Sequence, residues 1–200
     1  RQAGMSVSAR KPVQSFDPGD AEPTDAEVLA LATGEPADEV CPPHRSYPVA
    51  MAPPMAAATL GWASPSLADL AGELAWPNPR PDLGWVEAAG GVRSPVAADG
   101  DSVELCDILK PDLVVLVADA GLGTINAVRL SCPPLSRHDV IVVLNRFDPG
   151  EALHVANLSW LTSRDGFNVV SHPSRLVASI LERLAMSPGL GSGAAPHSPR

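Results

Sequence analysis

Positive charge is scarce in this sequence. Lys and Arg total 14 against 23 Asp and Glu, for a formal net charge of -9. The only lysines are Lys11 and Lys110. Such a balance argues against a nucleic acid or an anionic membrane surface as partner. Long apolar runs are missing as well: none approaches the ~20 residues that a bilayer span needs. No stretch has the pattern of a secretory signal. Cysteine is sparse, with Cys41, Cys106 and Cys132 at spacings that fit no metal site. An odd count without a framework points to a reducing cytosol, with each thiol a small core or loop residue. His44, His138, His154 and His172 show no ligand spacing either.

What is present suffices for a packed core. With 200 residues and 45% hydrophobic content, one globular domain over residues 1–186 is the expectation. The Gly/Ser/Pro-rich stretch "SPGLGSGAAPHSPR", residues 187–200, predicts a disordered tail. At the other end, "RQAG" reads as the last turn of a helix closed by Gly4, which suggests a chain lacking the start of its fold.

The pattern between these ends alternates strands and helices. A short strand is expected at about 5–10, followed by a loop opened by Pro12. "EPTDAEVLALATG" predicts a helix capped by Thr24 or Asp25, with Val28, Leu29 and Leu31 on its apolar face and Gly34 as its stop. The proline-dense segment 35–56 cannot form a long helix. Residues 64–76 predict an amphipathic helix capped by Ser66, with Leu67, Leu70 and Leu74 inward. A strand at 83–88 and a short helix at 102–109 follow. "DLVVLVAD" (112–119) and "VIVVLN" (140–145) are continuous apolar runs, typical of parallel strands buried on both faces. A helix from Thr124 lies between them. The chain closes with a helix at 151–166 (Leu153, Leu158, Trp160, Leu161), a short strand in "FNVVS" and an amphipathic helix at 173–186. This order predicts an α/β fold with a mostly parallel sheet.

Ligands in such sheets bind beyond the C-terminal ends of the strands. Lys11, Glu87, Asp119 and Asn145 all fall at or just past such ends. Glu87 is notable because it closes an apolar run and precedes the small turn "AAGG".

Five segments occur in order: "KPVQS" (11–15), "TDAEVL" (24–29), "WVEAAGGVRSPV" (85–96), "VADAGLGTIN" (117–126) and "VVLNRFDP" (142–149). Together they resemble ATP-dependent dethiobiotin synthetase, a family of the P-loop NTPase superfamily, over roughly residues 1–186. The resemblance implies a three-layer P-loop NTPase-like fold. It also implies a cytoplasmic homodimeric cyclo-ligase that uses ATP and Mg2+. The reaction would close the ureido ring of dethiobiotin from 7,8-diaminopelargonate and CO2. The family's phosphate loop, GxxxxGK[ST], has no counterpart in the sequence. The first strand, the loop and most of the first helix are therefore expected to be absent, and the 200 residues alone to be inactive.

Residue roles follow the same resemblance. Lys11 matches the lysine between the substrate amines and the ATP phosphates, and Ser15 a hydroxyl that contacts substrate. Asp25 and Glu87 match carboxylates that hold Mg2+ beside the nucleotide, with Gly90 and Gly91 giving room for phosphate. Gly121, Gly123, Thr124 and Asn126 match the loop and helix start that bind the substrate carboxylate across a dimer interface. Asn145 matches the asparagine that reads adenine. "MAPPMAA" (51–57) resembles the segment along the substrate's hydrocarbon chain. Phe16, Ala88 and Ala127 depart from the family pattern. Ala88 stands where glycine is usual; its added methyl and its cost at φ > 0 are expected to obstruct close phosphate approach in part. These departures keep open a non-catalytic relative, or an ATPase of the cobyrinic-acid amidating or partition type.

Overall fold

The structure is a computed structural model that describes residues 4–186. The tail expected at 187–200 and most of the helix end read in "RQAG" lie outside the described residues; Gly4 itself has φ 74°. The chain forms two compact units, Arg1–Lys110 and Pro111–Arg200. Both combine helices with parallel strands, so the expected α/β class is observed.

The first unit begins with β1 (Val7–Arg10) and β2 (Gln14–Ser15). α1 (Asp25–Thr33) is capped by Thr24, whose side chain accepts from Glu27 N while Glu27 reaches back, and it ends at left-handed Gly34. Such a box secures a helix start by about 1 kcal/mol. The expected face of α1 is corrected at Val28 and Leu31. Ala26, Ala30 and Thr33 are buried, whereas Val28 is 50% and Leu31 87% exposed. Small residues let the helix approach α2 (Ala37–Val40) closely; Leu29 packs against this core as expected, while Val28 and Leu31 face away from it.

As expected, residues 35–56 form only short pieces: α2, a 3-10 turn at Pro43–Arg45, β3 (Ser46–Tyr47) and the start of α3 (Pro53–Thr59). α4 (Leu67–Gly72) has the expected Ser66 cap and buries Leu67 and Leu70, but stops before Leu74. The unit is completed by β4 (Leu83–Val86), β5 (Pro95–Ala97), β6 (Gly100–Asp101) and α5 (Ser102–Leu109). β1 pairs with β4 in parallel, Arg10 opposite Val86. Val13, Tyr47, Leu70, Val96 and Leu105 belong to the main core of this unit.

The second unit holds a parallel three-stranded sheet in the order β7 (Val114–Asp119), β8 (Val140–Asn145), β9 (Val169–Val170). α6 (Thr124–Ser131), α7 (Ala152–Ser163) and α8 (Pro173–Met186) accompany it. Burial on both faces holds for β8 but not for β7, where Val117 is 59% exposed. β8 is the central strand of this sheet, with neighbours on both sides, while β7 is at its edge. Leu144, Val128 and Leu161 anchor the core of the unit.

Candidate functional site

Parallel pairing of β1 and β4 brings their ends out side by side, and Glu87 N donates to Arg10 O at 2.9 Å. The next side chains therefore meet. Lys11 is 2% exposed, and its Nζ lies 2.6 Å from Asp25 Oδ2 and 2.9 Å from Glu87 Oε1. Nζ also donates to Ala88 O at 3.1 Å. An ammonium removed from water needs such partners. Its backbone is fixed as well, with Lys11 N donating to Val40 O at 2.8 Å. Three of the expected site residues are thus in contact.

Asp25 reaches this place because Gln14 holds the start of α1. Gln14 is buried; its Oε1 accepts from Ala26 N at 3.0 Å, and its Nε2 donates to Ser46 Oγ at 2.8 Å. The sequence reading missed Gln14. Its only signal is a polar residue two places after Pro12, within the segment "KPVQS". Below lies Cys41, whose thiol burial pushes up to about 12, so it stays protonated.

The cluster carries one ammonium and two carboxylates, a surplus of one negative charge on its exposed side. Asp25 Oδ1 and Glu87 Oε2 take no protein donor among the described residues. Two carboxylates with uncommitted oxygens, backed by a fixed cation, fit a hard divalent ion completed by water and phosphate oxygens. No cluster of three or more His, Cys, Asp or Glu suited to a metal occurs among the described residues.

The turn after Glu87 removes the backbone part of the expectation about Ala88. Ala88 is not among the residues at positive φ; the left-handed position is Gly90, at 75°. Alanine is accommodated without backbone strain. Ser94 Oγ accepts from Gly91 N at 2.9 Å, which closes the turn on itself. Ser15 Oγ donates to Met51 O at 2.5 Å, tying the first loop to the "MAPPMAA" segment.

In the second unit, Asp119 and Asn145 end neighbouring strands in register. Asp119 Oδ1 accepts from Gly121 N at 2.8 Å, and its Oδ2 from Arg146. The Gly121 amide, then Arg146, holds the Asp119 carboxyl below its usual range. Gly123 caps α6 with φ 92°. Around this cap, the amides of Leu122, Gly123, Ile125 and Asn126 take no acceptor among the described residues. Thr124 is 3% exposed, and its Oγ1 has no hydrogen-bond partner among them. Free amides at a helix start beside an unsatisfied buried hydroxyl suit an anion.

The sequence is 34% identical to ATP-dependent dethiobiotin synthetase of Haloferax mediterranei over 96% of this chain and 84% of that protein. It is 37% identical to the protein of the same name from Anaeromyxobacter dehalogenans strain 2CP-1, over 82% of this chain and 76% of that protein. A third, from Anaeromyxobacter sp. strain Fw109-5, is 31% identical over 92% of this chain and 82% of its own length. No protein-family model matches the chain. No helix among the described residues is long and apolar enough to cross a membrane.

Proposed function

The chain belongs to the ATP-dependent dethiobiotin synthetase family, and on that premise we propose that it serves the ATP- and Mg2+-dependent ring closure of biotin biosynthesis. The substrate 7,8-diaminopelargonate takes up CO2 on one amine as a carbamate, releasing a proton. A carbamate oxygen displaces ADP from the γ-phosphate of ATP. The second amine then attacks the carbamoyl carbon, expels phosphate and closes the ureido ring. Catalysis of this kind rests on positioning and charge neutralisation.

The contact between Lys11 and the two carboxylates carries this reading. The buried ammonium is a fixed charge for the anionic carbamate and phosphate. Asp25 and Glu87 would hold Mg2+, which neutralises the phosphates when bound. Ser15 would contact the substrate near its amines, and Gly90 and Gly91 would leave room for phosphate. Gly121, Gly123, Thr124 and Asn126 would hold the substrate carboxylate, supported by the free amides and the orphaned Thr124 hydroxyl. Asn145 would orient adenine through its paired donor and acceptor. The reading further includes one functional domain over residues 1–186, a homodimer and a cytoplasmic location.

The test is growth of a biotin-requiring strain lacking its own synthetase on the protein that carries this chain, with phosphate release assayed on 7,8-diaminopelargonate. Failure of both assays by folded protein would overturn the proposal. Because the 200 residues contain no GxxxxGK[ST] loop, the chain by itself is expected to bind ATP only weakly, and tight binding in a calorimetric titration would contradict that.

A further inference from the structure

We infer that Asn157, on α7, is a positioning residue for the anion-binding face of the Gly121–Asn126 loop; this rests on the reading of that loop as the substrate-carboxylate site. Asn157 is 6% exposed, far along the chain from the loop. Its Nδ2 donates to two successive carbonyls, Ala120 O and Gly121 O, both at 2.9 Å.

A trans peptide is planar, with its C=O and N–H directed oppositely. Holding one carbonyl therefore aims the amide that shares its plane. With Ala120 O held, the Gly121 amide points the other way, where Asp119 Oδ1 accepts it at 2.8 Å. With Gly121 O held, the Leu122 amide is turned away from buried Asn157, and it takes no acceptor among the described residues. The first plane is pinned at both ends. The second is pinned at its carbonyl end only, which leaves its amide for a ligand.

This control is needed because Gly121 has no side chain to oppose rotation of the peptides around it. A flipped Gly121–Leu122 peptide would present a carbonyl oxygen where an anion requires a donor. Thr124 N donates to Gly121 O only at 3.4 Å, a weak second restraint. Asn157 thus reaches the substrate through the loop without touching it.

The test compares 7,8-diaminopelargonate with its methyl ester, which keeps both amines and loses the anion. Binding is followed by amide resonances of the 15N-labelled protein. The wild type should bind the acid about tenfold more tightly than the ester, the value of a charge-assisted hydrogen bond, and the Leu122 amide should shift with the acid alone. In Asn157→Leu and Asn157→Asp the preference should fall below about threefold, while shifts around Lys11 and Asp25 persist with either ligand. A general loss of packing would weaken acid and ester alike and leave their ratio intact. A folded variant that keeps the wild-type preference overturns the role of Asn157. If neither variant folds, the wild-type Leu122 amide decides: no shift on acid binding overturns it. A wild type that does not distinguish acid from ester overturns the carboxylate reading itself.

Discussion

The Nζ atom of Lys11 donates to Oε1 of Glu87 at 2.9 Å across 76 residues of chain. Each residue follows the end of its strand, and the two strands are parallel neighbours. The contact is therefore a consequence of register: a one-residue slip would direct alternate side chains and separate the charges.

Replacing Lys11 by Met should lower kcat of the active protein by about 100- to 1,000-fold, the usual cost of removing a fixed charge aimed at a developing anion. The fold should persist, because Asp25 and Glu87 are exposed enough to be hydrated once unpaired. Steady-state kinetics and circular dichroism check this. Arginine should not rescue, since a planar guanidinium cannot occupy the buried place of a compact ammonium.

Gln14→Leu should weaken Mg2+ binding and stability together. Ala26 N would lose its acceptor at the start of α1, and an unsatisfied buried amide costs about 1–3 kcal/mol. Asp25 would lose its fixed position with the helix start. Denaturant unfolding and a Mn2+ titration as metal probe measure the two effects; unchanged metal affinity would refute the link.

Glu35 sets a pH dependence. Partial burial would raise its pKa, but hydrogen bonds from Ser8, Arg10 and the Ala9 amide outweigh it and bring the value to about 2. The ordinary value is 4.5, so the folded state favours the carboxylate. Its stabilisation is complete above that ordinary value and is lost as pH falls through about 2. Glu35→Gln should accordingly be less stable than wild type at neutral pH, and the gap should narrow in acid. Unfolding curves across that range test the sign.

Gly90→Ala should destabilise the turn after Glu87. The position has φ 75°, and an added Cβ would sit 2.8 Å from Ser94 Oγ and 2.9 Å from Ser94 Cβ. The left-handed backbone alone costs about 1–2 kcal/mol. Thermal unfolding reads the loss, and Ala88→Gly, where φ is not positive, should give no comparable gain.

Local patterns were legible without coordinates. Ser66 was legible as a cap and the first cap narrowed to Thr24 or Asp25, because cap partners lie within one turn; the structure assigns it to Thr24, paired with Glu27. The apolar runs ending at Asp119 and Asn145 are strands for a similar reason, since a continuous β-branched run is a local signal, although the expected burial on both faces holds only for the second. On α1 Leu29 packs inward as its size suggests, but Val28 and Leu31 do not, because close approach to α2 selects alanine at the buried positions. Gln14 and Asn157 were invisible, since each acts through hydrogen bonds to backbone atoms remote in sequence.

The sequence by itself determined the longer strands and helices, the Ser66 cap, the polar residues at strand ends and the family, because these depend on residue type and short spacing. Only the tertiary structure decided that Lys11 is buried between Asp25 and Glu87, that Ala88 is unstrained, and that Asn157 aims the Leu122 amide. Strand register, helix approach and peptide-plane orientation set those features, and they exist only once distant segments have packed.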